Sequence, residues 1–98
     1  MQVRKVLNIE DLPTKHVAVR RALERCGVPY IDHAKTAVEA LDMIEAAIKE
    51  GKPYHVIVSD MYFPISPGGM EAQAGMYVIE ELHARGIEVP IIVCSSAR

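Results

Sequence analysis

The stretch Val56-Ile57-Val58-Ser59-Asp60-Met61-Tyr62-Phe63-Pro64 decides how the chain is read. Three consecutive β-branched residues run into one carboxylate, and a proline stops the segment, which predicts a buried strand delivering Asp60 to its carboxyl end. In an open α/β sheet that end is where ligands bind. A second apolar strand, Val6-Leu7-Asn8-Ile9, runs into Glu10-Asp11. Two strand tips are therefore expected to bring three carboxylates to one rim.

Outward from these strands, β and α patterns alternate. Val3 to Ile9 reads as the first strand, and Pro13 suits the first position of a helix running to about Cys26, since its missing N–H has no partner there. Val19, Ala22, Leu23 and Cys26 give that helix its apolar stripe, ended by Gly27. Val28-Pro29-Tyr30-Ile31 begins a second strand, and Pro29 places it at a sheet edge. Thr36 with Glu39 three residues on forms a capping box for a second helix, whose expected buried stripe is Val38, Leu41, Ile44 and Ile48. Ile65-Ser66-Pro67-Gly68-Gly69 has too many turn residues to continue a strand or helix and reads as a loop beside the carboxylates. Met76, Ile79 and Leu82 mark a third helix, and Val89 to Ser95 a fourth strand. Continuous apolar strands with short connections predict a parallel sheet covered by helices on both faces, because each crossover must return through a helix.

The chain has 98 residues and a net charge of −2. That length suits one domain, with roughly 60–65% of the extended surface buried. Lys and Arg are scattered, with no basic patch for nucleic acid or an anionic membrane. No apolar run approaches the roughly 18 residues of a span, and the N-terminus lacks a signal-peptide layout, so a cytoplasmic location is expected. Cys26 and Cys94 are expected to be reduced core thiols. His16, His33, His55 and His83 lack metal-ligand spacing and read as surface or half-buried residues.

Gathering Glu10, Asp11 and Asp60 is costly, because like charges raise at least one pKa, and a divalent cation removes that cost. Magnesium suits the set: it takes one or two carboxylates, keeps several waters and demands oxygen ligands, with a backbone carbonyl just after Asp60 available. Asp60 would then act as nucleophile toward a phosphoryl group, in a reaction governed by positioning and electrostatics. In the competing reading Glu10 and Asp11 only cap the next helix and Asp60 begins a turn. The hydroxyl pair Ser95-Ser96 at a third strand end favours the site, since a hydroxyl there can bond a phosphoryl oxygen.

The ordered set of Val6 to Asp11, Ala40-Leu41, Val58 to Pro64, Gly75-Met76 and Val89 to Ser96 resembles the receiver domain of two-component response regulators. The resemblance covers nearly the whole chain. It implies a flavodoxin-like, three-layer αβα fold, with Asp60 as phosphoacceptor and Asp11 and the Tyr62 carbonyl binding Mg2+. Glu10 assists through water, Ser95 is the switch hydroxyl, and Ser96 fills the small position beside it. A histidine kinase or phosphotransfer protein would be the donor.

Two departures from the pattern stand out. The stretch between Pro64 and Gly75 is longer than in the family, as a surface insertion or a gate over the site. The sequence also stops before the family's last α4-β5-α5 segment, which carries a lysine and a switch aromatic. On that expectation the chain is a single truncated receiver domain over residues 1–98, its fourth strand is a bare edge, and it forms a homodimer or larger assembly. The leading expectation is a regulatory module rather than an enzyme. The alternatives are a receiver-like dimerisation or interaction domain that no longer accepts phosphate, and a magnesium-dependent phosphohydrolase. The hydrolases that resemble this strand end carry a second acid where Tyr62 stands.

Overall fold

The computed structural model describes residues 2–94. In chain order the elements are β1 (Lys5–Ile9), α1 (Pro13–Arg25), β2 (Tyr30–Ala34), α2 (Ala37–Lys49), β3 (Val56–Asp60), β4 (Phe63–Pro64), β5 (Glu71–Ala72), α3 (Ala74–Ala84) and β6 (Ile91–Cys94). Four strands form a parallel sheet in the order β2-β1-β3-β6, and β4 pairs with β5 in an antiparallel hairpin. The expected α/β fold with a flavodoxin-like parallel sheet is the observed one. Pro29 directly precedes β2, which is an edge strand as that proline implied.

Alternation along the strands assigns the two faces. Leu7, Ile9 and Ile57 are fully buried in the core built with Leu41 and Ile44 of α2 and Val78 and Leu82 of α3. On the opposite face Asn8 and Val58 line a cavity of about 260 Å³ together with Ala18 and Val19 of α1. The main core therefore lies on the α2 and α3 side, while the α1 side buries Val6 beside the cavity-lining Asn8. Among the described residues, none of α1 is buried, whereas α2 buries five. The stripe expected on α1 accordingly fails: Val19 and Leu23 are half-buried, and Ala22 and Cys26 are exposed.

Other corrections have equally physical causes. Thr36 caps α2 as read, its Oγ1 accepting the Glu39 N–H at 3.2 Å, while Glu39 Oε1 accepts from the Lys35 N–H at 3.1 Å. Yet the buried stripe is Ala37, Ala40, Leu41, Ile44 and Ala47, and Val38 and Ile48 are exposed. Three of the five buried positions are alanines, so the sheet-facing stripe is made largely of small residues, and Val38 and Ile48 fall outside it. The segment after Pro64 is a hairpin rather than an unstructured loop. The Ser66 carbonyl accepts the Gly69 N–H at 2.9 Å, with Pro67 and Gly68 between them and Gly68 at φ 77°, the arrangement of a type II turn. Phe63 anchors the hairpin in the core, and the Ile65 carbonyl accepts the Val38 N–H at 2.9 Å. Cys26 and Cys94 are free thiols as expected, but exposed rather than in the core. The expected fourth strand begins at Ile91 rather than Val89, and its last expected residue, Ser95, lies outside the described residues.

Candidate functional site

Strand register assembles the site. Ile9 pairs with Ser59, so Glu10, one residue further on, comes level with Asp60 at the carboxyl ends of β1 and β3. Asp60 in turn pairs with Cys94 of β6. One ligand oxygen from each of Glu10, Asp11 and Asp60 lies within 4.8 Å of the others. Glu10 and Asp60 are buried, and Asp11 is half-buried. The convergence expected from two strand tips is present.

The capping alternative does not account for these carboxylates. Leu12 is the N-cap of α1, no side chain caps the helix, and its first turn holds no acidic residue. Glu10 Oε2 accepts the Leu12 N–H at 3.2 Å, while Asp11 Oδ1 is buried without a hydrogen-bond partner among the described residues. An orphaned buried carboxylate oxygen is expensive in a dry setting. Burial pushes the Glu10 carboxyl above its ordinary value. The Asp60 charge and a hydrogen bond with Asp11 push the same way, against the opposing pulls of the Leu12 N–H and Lys15. Such a set, all oxygen, crowded and partly unsatisfied, fits a hard divalent cation such as magnesium and is unlike the nitrogen and sulfur ligands of zinc.

Asp60 is tied to the backbone around it. Its Oδ1 accepts the Met61 N–H at 2.8 Å, and its own carbonyl accepts the buried Ser59 hydroxyl at 2.7 Å. Its Oδ2 faces Lys15 Nζ at 3.9 Å. Gly75 explains how closely α3 approaches the same strand end. Its N–H donates to the Met61 carbonyl at 3.0 Å, and a Cβ there would stand 2.8 Å from the Asp60 carbonyl oxygen. Tyr62 lies half-buried between β3 and β4, two residues beyond Asp60. Ser95 and Ser96 lie outside the described residues.

The sequence reading missed several parts of this surrounding. Lys15 did not stand out among the scattered cations of the sequence. His16 and His33 lack ligand spacing, yet their rings stack with centroids 3.6 Å apart. His16 Nδ1 bonds Asn8 Oδ1 at 2.8 Å, and His33 Nε2 bonds the Glu10 carbonyl at 2.6 Å. Asn8 Nδ2 donates to the Val58 carbonyl at 2.9 Å, so a polar chain braces β1 from α1 to β3. The only sequence signal for it was Asn8, a polar residue inside an apolar strand.

Among the described residues, no helix is long and apolar enough to cross a membrane. No protein-family model and no curated protein matches the sequence. Among solved structures, the chain is similar to the MaeR response regulator bound to beryllium trifluoride. The match has a TM-score of 0.77 and 18% sequence identity, over 97% of this chain and 69% of that one. At that identity the likeness establishes the fold, which is that of a receiver domain.

Proposed function

We propose that this receiver fold serves as a phosphorelay module that accepts a phosphoryl group on Asp60 and thereby changes its association or partner preference. The reading rests on one observation: Glu10, Asp11 and Asp60 converge at the carboxyl rim of adjacent parallel strands, with Asp60 buried and held by its own backbone contacts. The carboxylate of Asp60 attacks phosphorus. As the new P–O bond forms, the P–N bond of a phosphohistidine donor breaks, and the imidazole leaves with the electron pair and takes up a proton. The donor is a histidine kinase or phosphotransfer protein, and the setting is the cytoplasm.

Glu10, Asp11 and Asp60 would hold Mg2+, joined by the Tyr62 carbonyl, and the orphaned Asp11 oxygen supports that assignment. Bound there, magnesium would neutralise the carboxylates and the charge on the transferring group. Ser95 would serve as the switch hydroxyl. Acetyl phosphate with magnesium should add one phosphoryl mass to the wild type and none to Asp60→Asn; a wild type that stays unmodified under saturating donor sinks the reading.

A neighbouring observation favours self-association. Among the described residues β6 is a sheet edge, Ile92 on it is 56% exposed, and α1 buries none of its residues. An apolar edge strand is a template for pairing with another chain. The chain should therefore sediment as a homodimer or larger species at tens of micromolar, and a monomer at that concentration contradicts this part of the proposal. A dimer whose mass is unchanged by phosphodonor treatment would point instead to an interaction domain that does not signal by phosphate.

A further inference from the structure

Lys15 projects from the first turn of α1, and its Nζ lies 3.9 Å from Asp60 Oδ2. The two partners differ in environment: the Asp60 side chain is 4% exposed and that of Lys15 39%. The carboxylate is fixed and nearly dry, while the ammonium sits at the rim on a flexible stem. At 3.9 Å the pair is a charge contact rather than a hydrogen bond. Both side chains line the same cavity with Asn8, Glu10 and Ser59. The Lys15 charge is also felt by Glu10, whose protonation it opposes.

We propose that Lys15 is a catalytic residue of the phosphoryl transfer, its ammonium contacting an oxygen of the group arriving on Asp60. The inference rests on the phosphoacceptor reading above. A phosphoryl oxygen on Asp60 projects beyond the carboxylate edge into the gap that is too long for a hydrogen bond in the unmodified acceptor. The arriving group also raises the negative charge where Lys15 already stands, and charge-assisted bonds formed as that charge develops are the kind that lower the barrier. Atoms balance as in the donor reaction. For acetyl phosphate, the Asp60 P–O bond forms, the donor's P–O bond breaks, and acetate leaves with the electron pair.

The same ammonium acts with the opposite sign on a metal, because a positive charge beside the three carboxylates competes with a divalent cation. Loss of Lys15 should therefore weaken phosphoryl acceptance while leaving magnesium binding intact or tighter, a split that simple damage to the site would not produce. The test compares wild type with Lys15→Gln, Lys15→Met and Lys15→Arg. It measures magnesium titration by thermal melting, and initial labelling by acetyl phosphate at saturating magnesium followed by intact mass.

The expected result is at least about a tenfold slower labelling in Lys15→Gln and Lys15→Met. Their magnesium affinity should equal or exceed that of wild type, and Lys15→Arg should recover most of the rate. Lys15 is partly exposed, so either neutral variant that melts cooperatively without metal is a valid probe. Wild-type labelling in a neutral variant overturns the proposal, as does loss of labelling and magnesium binding together. A wild type that takes no phosphoryl removes the phosphoacceptor reading and this inference with it. A labelled wild type matched by Lys15→Gln removes the inference alone.

Discussion

Glu10 is the site carboxyl on which burial and a neighbouring negative charge both favour the protonated form. Its carboxyl is pushed up by burial first and by the neighbouring Asp60 charge next, so between the ordinary value of 4.5 and the raised folded value the native protein holds more of this proton than the unfolded chain does. Without metal, the Glu10 contribution to stability is therefore greatest at low pH and is lost as pH rises through the raised folded value. Magnesium needs the deprotonated form, so its stabilising effect should grow over the same interval. Melting temperatures across pH 4.5–7, with and without magnesium, should show these opposite Glu10-dependent slopes, both reduced in Glu10→Gln. Unaltered slopes in that variant would remove Glu10 from the site. The three carboxylates were legible because each follows an apolar strand, and strand ends of a parallel sheet share a rim. Lys15 was not, because a lysine among Arg20 and Arg21 on a helix looks like any solvated cation until the helix is placed over Asp60.

At the scale of elements, the decisive contact is between the start of α3 and the end of β3. Gly75 lets them touch, and a Cβ there would meet the Asp60 carbonyl oxygen at 2.8 Å and the Met61 Cα at 3.0 Å, both backbone atoms that cannot swing aside. Alanine in place of glycine within a helix is ordinarily stabilising by about 0.5–1 kcal/mol. Here the sign should reverse, with Gly75→Ala destabilising by roughly 1–3 kcal/mol through overpacking, read as a lower denaturant midpoint. A midpoint that stays level or rises would mean that α3 does not sit this close. Element order and most boundaries were legible from periodicity, Pro13 and the Thr36–Glu39 pair, because those signals are local. The burial pattern of α2 was not. Ala37, Ala40 and Ala47 make up most of the stripe that faces the sheet, and small residues do not stand out in a sequence as apolar anchors. The hairpin was concealed for a related reason: Ser66 to Gly69 announced a turn, but only Phe63 entering the core, Ile65 bonding Val38 and the pairing of Phe63 with Ala72 reveal that both arms are held.

Across the whole molecule, the strand order β2-β1-β3-β6 places β1 and β3 side by side at the centre and sends their carboxyl ends to one rim. The main core lies on the α2 and α3 face, and the α1 face carries the cavity beside Lys15 and Asp60. The site is thus built from rigid central strands, with its adaptable cation on the least buried helix. That asymmetry was beyond the sequence, because the apolar stripe of α1 looks no weaker than those of its neighbours. The acidic convergence is the feature on which the proposed acceptor chemistry, the proposed metal binding and the proposed role of Lys15 all rest. Thermal melting against magnesium measures it most directly. At about one hundred times Kd, the ion should stabilise the wild type by about 2.7 kcal/mol, raising Tm by roughly 10 °C or more. Asp11→Asn should fold, melt without metal no lower than wild type because a crowding charge is gone, and lose that response. An equal magnesium shift in both proteins, or none in either, would contradict the account.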